Sequence, residues 1–256
     1  MAAHERLTAA IRSANNDGRP ALMPFLTAGY PEPNDFVSSL KAIAEVGDVV
    51  EIGIPFSDPM ADGMTIQRSS FIALQKGVSL EWIFKKLEKA GEIDAPLVMM
   101  SYLNPLLAFG YDKLAKRALA TGVCGFIVPD LPFEESQELR DALEAEGLGL
   151  IQLVTPATPA DRLKTLSDAS RGFVYAVTIT GITGGDDGLP DDLADYLDKV
   201  SASGEQPVCA GFGIRNAADV ANVGMHAAGA IVGSALVEVL EKGEDPAAYL
   251  KSLRPS

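Results

Sequence analysis

Val49-Val50-Glu51-Ile52-Gly53-Ile54-Pro55-Phe56-Ser57-Asp58-Pro59-Met60-Ala61-Asp62-Gly63 passes from a β-branched apolar run into a polar loop. The run is stopped by Pro55 and reads as a buried strand. Side chains alternate along a strand, so Glu51 shares a face with Val49 and Gly53, while Val50, Ile52 and Ile54 point the other way. Gly53 has no side chain, so open space is expected just beyond Glu51. Pro55 and Pro59 restrict the loop that carries Ser57, Asp58 and Asp62. A carboxylate in an apolar strand is costly unless it is paired, protonated or used. Pairing with a core Arg or Lys, or exposure on an edge strand, is one reading of Glu51. The arrival of Asp62 at the same strand end favours the other, a pair of carboxyls for acid–base work.

The strand recurs. Residues 21–27, 48–54, 97–101, 123–128, 149–153, 172–177, 207–210 and 230–232 read as strands, each followed by a helical stretch. A further helix over residues 3–14 precedes them, with Leu7, Ala10, Ile11 and Ala14 on one stripe. The helix after the first strand is expected over 34–46 with Asn34 as its N-cap. Eight strand–helix units predict a (β/α)₈ TIM barrel, a single domain over residues 1–256; a doubly wound open sheet is the alternative. The connections after the second and sixth strands are the longest. In barrels such loops build the active site, and these carry Asp62 and Thr183.

The chain has 256 residues and a formal net charge of −14. That charge argues against nucleic acid or an anionic membrane as partner, but backbone amides can still bind a phosphorylated molecule. The two cysteines, Cys124 and Cys209, sit in apolar runs and read as reduced, packed thiols of a cytoplasmic protein. No apolar run approaches a membrane span. His4 and His226 stand apart, and no His/Cys/Asp grouping has metal-ligand spacing, so no metal is expected. The sixth strand carries no lysine for Schiff-base chemistry.

Glycine-containing turns follow the last three strands: Thr180-Gly181-Ile182-Thr183-Gly184-Gly185, Ala210-Gly211-Phe212-Gly213-Ile214 and Ile231-Val232-Gly233-Ser234-Ala235. Glycine admits close backbone approach to a phosphate, and a helix opening near Ser234 adds its positive end. Tyr175 shares a strand face with Phe173 and Val177, as a core tyrosine or a pocket residue.

Residues Glu51 to Gly63, continued by Ile66-Gln67, closely resemble the tryptophan synthase alpha subunit family, whose pattern is E-[LIV]-G-[IV]-P-[FY]-S-D-P-x-A-D-G-x-x-I-Q. Met64 departs, where the family often has Pro, and no basic residue lies near Ile179. The segments Pro24 to Pro31, Met100 to Pro105 and Val128 to Glu135 also match, so the resemblance covers nearly the whole chain. It implies a lyase of L-tryptophan biosynthesis that cleaves indole-3-glycerol phosphate to indole and glyceraldehyde 3-phosphate by metal-free acid–base chemistry. Glu51 and Asp62 would be catalytic. Tyr175, Thr183 and Phe212 would contact substrate, and Gly184, Gly213, Gly233 and Ser234 would hold its phosphate. The resemblance implies no cofactor in this chain, and a beta subunit, carrying pyridoxal phosphate, as partner in a heterotetramer. Two rivals stay open: a stand-alone indole-releasing lyase, and a non-catalytic activator, against which the intact Glu51 and Asp62 argue. Leu103, Leu106, Leu107 and Phe109 are expected to form apolar surface for the partner, the alternative being that they fold back onto the barrel rim.

Overall fold

The computed structural model describes residues 1–177, 192–211 and 213–254. Within them, eight strands close into a parallel barrel in chain order: β1 (Ala21–Thr27), β2 (Val50–Gly53), β3 (Leu97–Met100), β4 (Val123–Ile127), β5 (Gly149–Val154), β6 (Val174–Val177), β7 (Val208–Gly211) and β8 (Gly229–Val232). β1 pairs with both β2 and β8, which closes the ring and excludes the open sheet.

The two faces of each strand have different fates. Val50, Ile52 and Ile54 face outward and pack with the helical layer, alongside Leu22, Leu26, Met99 and Phe126. The inward positions Ala21, Met23, Val49, Val98, Ile151, Phe173, Cys209 and Ile231 form a second, interior cluster. The N-terminal helix α1 (Ala3–Asn16) completes that cluster with Leu7, Ile11 and Ala14, all buried, and so plugs the N-terminal end of the barrel. Apolar side chains therefore fill the lower barrel, and the interior opens towards the C-terminal ends of the strands.

Below the barrel, Asp48 ties the ends of the chain together. Arg19 donates to both its oxygens at 2.8 and 2.9 Å, the Leu22 N–H donates at 2.7 Å, and Arg254 donates at 2.9 Å. Burial pushes the Asp48 carboxyl up, but these donors outweigh it and hold the group below its ordinary value.

Three local expectations need correction. Asn34 is not an N-cap: Pro33–Asp35 forms a 3₁₀ turn, and the helix proper is Phe36–Ala44. Proline at the start of that turn favours it, its fixed φ suiting a first helical residue. Gly53 does not leave open space, because the Phe25 ring occupies it: a Cβ at 53 would come within 2.4 Å of the Phe25 ring edge. Residues 103–109 form a helix, Leu103–Phe109, rather than an apolar loop. Its Leu106 is fully buried, Leu103 and Phe109 pack partly buried on the core, and only Leu107 is left largely exposed. Spacing of three residues puts those inward side chains on one helical face. Among the described residues no helix is long and apolar enough to cross a membrane, and both cysteines are free and buried.

Candidate active site

The upper inward positions line a cavity of about 190 Å³ at the C-terminal end of the strands. β1 contributes Phe25, β2 Glu51, β5 Leu153, β6 Tyr175 and Val177, β7 Gly211 and β8 Ile231. The loops above them add Asp62, Pro129, Gly213 and Gly233, and the helix that follows β8 adds its first residue, Ser234. A larger, open cleft of about 600 Å³ lies at the opposite end, lined by Asn15, Arg19, Gln206 and His226, and gathers no pair of buried carboxyls.

Glu51 is only 1% exposed, and its Oε2 has no hydrogen-bond partner among the described residues. The reading of Glu51 as half of a core ion pair is therefore not met. Burial, and then the charge of Asp62, push its carboxyl up to about 8, so it holds its proton at neutral pH. Burial also raises Asp62, to about 6, but here the Tyr102 hydroxyl opposes it by donating to Asp62 Oδ2 at 3.1 Å. The two acids thus stand on opposite sides of pH 7, one protonated and one ionised, which is the arrangement of a general acid beside a charged stabiliser.

Tyr175 is the neighbour of Leu153 and Cys209 in the sheet. Burial first, and then the charges of Glu51 and Asp62, hold its phenol well above the ordinary range, so it remains a neutral hydroxyl. Gly211 makes room for it: a Cβ at 211 would come within 2.8 Å of the Tyr175 hydroxyl oxygen. At the far side, Gly233 immediately precedes the helix Ser234–Glu241, whose first N–H groups have no intrahelical acceptor. A Cβ built on Gly213 or on Gly233 would meet no protein atom within 4 Å, so both border free space. Gly213 has φ +38°, a left-handed conformation that suits glycine.

Six of the expected site residues therefore share one cavity: Glu51, Asp62, Tyr175, Gly213, Gly233 and Ser234. Thr183, Gly184 and Phe212 lie outside the described residues. Among the described residues no three His, Cys, Asp or Glu side chains come together in a way that could hold a metal ion.

Residues 11–254 match the sequence profile of the tryptophan synthase alpha chain. The chain belongs to the tryptophan synthase alpha chain family. An alpha chain from Nitratidesulfovibrio vulgaris is 42% identical over 249 residues, covering 96% of this chain and 97% of that one. One from Roseiflexus castenholzii is 44% identical over 236 residues, covering 91% and 90%. Solved structures agree. Mycobacterium tuberculosis tryptophan synthase superposes with a TM-score of 0.89 at 37% identity, covering 97% of this chain and 96% of that one. The Legionella pneumophila alpha chain gives 0.87 at 30% identity, covering 99% and 96%.

Against the alpha-chain motif, the residues that sequence reasoning passed over are Phe25, Tyr102 and Gly211. All three fall in segments quoted for the resemblance or the glycine turns, but their contacts join segments distant in the sequence. Phe25 fills the space above Gly53, Tyr102 reaches Asp62, and Gly211 admits Tyr175.

Proposed function

We propose that Glu51 and Asp62 carry out the alpha reaction of tryptophan synthase: cleavage of indole-3-glycerol phosphate to indole and glyceraldehyde 3-phosphate. The observation that supports this most is the opposite protonation of two carboxyls in one cavity, Glu51 raised to about 8 and Asp62 to about 6. Protonated Glu51 delivers its proton to C3 of the indole ring. The ring nitrogen becomes cationic, and its N–H is held by the Asp62 carboxylate, which stabilises the developing charge. Glu51, now ionised, takes the proton from the hydroxyl on the side-chain carbon attached to C3. As that oxygen becomes the aldehyde carbonyl, the carbon–carbon bond breaks and its electrons restore the aromatic indole. Glu51 ends with the proton it began with, so the cycle closes.

Gly213, Gly233 and the opening of the Ser234–Glu241 helix suit the substrate's phosphate, which needs amide donors and no net positive charge. Thr183, Gly184 and Phe212 belong to the same proposal as the substrate and phosphate contacts of their loops. The proton transfers call on no cofactor in this chain; pyridoxal phosphate belongs to the beta subunit proposed as partner, and a cytoplasmic location fits two free thiols. Met60 and Leu107, both well exposed on the site's side of the barrel, support a docking surface there.

The test is incubation of the purified chain with indole-3-glycerol phosphate, with and without a beta subunit, following indole release. Indole from the chain alone, accelerated by the partner, is the expected result. Acceleration of the partner with no cleavage here would instead mark an activator, and cleavage indifferent to any beta subunit a stand-alone lyase.

A further inference from the structure

Burial raises both carboxyls of the site, yet the chemistry needs them in different states. The charge of Asp62 raises Glu51 further, and a donor to Asp62 works in the opposite direction. Among the described residues, the groups facing Asp62 are Glu51 from β2, Tyr175 from β6 and Tyr102, with Asp130 beyond Tyr102 on the loop after β4. All are acids or phenols. Asp62 therefore receives no help from a cation among these neighbours.

Tyr102 differs from the rest by its geometry. It stands where the backbone leaves β3 and enters the Leu103–Phe109 helix, and it is 5% exposed. Its hydroxyl donates to Asp62 Oδ2 at 3.1 Å and accepts from the Ala61 N–H at 2.9 Å. The accepted bond leaves the phenol proton free to be given to Asp62. The ring is held in place by stacking on Phe56, with centroids 5.0 Å apart and planes 21° from parallel. Below it, the next residue is pinned, the Leu103 N–H donating to Asp130 Oδ1 at 2.8 Å. Burial, and then the charge of Asp62, keep the phenol well above the ordinary range, so it stays a donor throughout the working pH range. At Glu51, Oε2 has no such donor among the described residues.

We propose that Tyr102 is the positioning residue that sets the two carboxyls apart, fixing the Asp62 carboxylate in its ionised form while Glu51 keeps its proton. It touches no reacting atom and acts through Asp62. Without its hydroxyl, the Asp62 midpoint would drift upwards and a smaller share of the sites would carry the charged stabiliser at neutral pH.

The experiment is a titration of the Asp62 carboxyl by ¹³C NMR in the free protein and in Tyr102→Phe, which keeps the ring on Phe56. The Asp62 midpoint is expected to rise by about one pH unit in the variant, the effect of removing a hydrogen bond to the charged form. The kinetic consequence rests on the lyase reading above. The acid limb of kcat/KM moves up with Asp62, so the variant loses about five-fold at pH 6 and about two-fold at pH 7 from ionisation alone. A merely structural role would lower the rate equally at every pH. Placing 3-fluorotyrosine at 102, a stronger donor of nearly the same shape, is expected to move the Asp62 midpoint down, and it tests the idea if Tyr102→Phe folds poorly. An Asp62 midpoint that stays put when the donor is weakened or strengthened overturns the proposal. The titration needs no substrate, so its failure is distinguishable from failure of the lyase assignment.

Discussion

Glu51 and Asp62 line one cavity, and burial together with the negative charge of Asp62 pushes the Glu51 carboxyl up to about 8 while Asp62 itself sits at about 6. The active form has Glu51 protonated and Asp62 ionised. The dependence of kcat/KM on pH is therefore expected to be bell-shaped, rising through about 6, falling through about 8 and greatest near 7. A rate that is flat between pH 5 and 9 would mean that these carboxyls do not carry the proton transfers.

The same shifts separate activity from stability. Glu51→Gln and Asp62→Asn are each expected to lose on the order of 10²–10⁴-fold in rate. Glu51→Gln should nevertheless be more stable than the parent at neutral pH. The folded-state value of Glu51 lies above its unfolded value, so the native state binds the extra proton between about 4.5 and about 8. Stability is full below that window and falls as pH rises through it, by up to about 1.4 kcal/mol per pH unit. Glutamine removes that loss. Thermal unfolding of both proteins at pH 5, 7 and 8.5 checks it: the advantage of the variant should grow with pH, and a constant difference would place the Glu51 shift elsewhere.

The strand that carries Glu51 was legible in the sequence because β-branched residues, alternation and a terminating proline all agree there. Glu51 and Asp62 were legible as a pair because a loop of ten residues leaves the second acid near the strand end that bears the first. What was not legible depends on contacts between distant segments. That the space above Gly53 is filled follows from Phe25 lying beside Glu51 in register, which closure of β1 on β2 fixes. That a donor opposes the burial of Asp62 depends on Tyr102, forty residues along the chain. The apolar residues of 103–109 misled for another reason. A segment containing Asn104-Pro105 reads as a loop, yet proline is tolerated in the first turn of a helix, and the helix turns Leu106 into the core.

Gly233 offers a clean test of the phosphate site. A Cβ there meets no protein atom within 4 Å and the residue does not have positive φ, whereas Gly213 at φ +38° would be strained by any side chain. Gly233→Ala is therefore expected to fold normally and to raise KM for indole-3-glycerol phosphate by about ten-fold, its methyl group occupying the space in which a phosphate would meet the Ser234–Glu241 helix. Glycerol phosphate should bind the variant more weakly by a similar factor. If both bind as before, the phosphate lies elsewhere in the cavity.

Leu107 is 55% exposed and Met60 83% exposed, and they lie on segments that flank the residue joining both to Asp62, Tyr102. A beta subunit that covers this face would bury the apolar side chains and bear on the Leu103–Phe109 helix at the same time. Leu107→Asp is expected to weaken partner binding by more than ten-fold, because a charge would have to be desolvated where an apolar anchor now sits, while the chain's own melting temperature changes little. Partner binding can accelerate cleavage only by favouring the conformation in which the site is most competent. Linkage then requires that a non-cleavable analogue bound beside Glu51 and Asp62 tighten the partner by the same factor by which the partner tightens the analogue. Calorimetric titration of the two chains, with and without the analogue, measures both factors. Unequal factors would expose an error in the binding measurements, and equal partner affinity in both titrations would leave the docking surface standing but remove its coupling to Asp62.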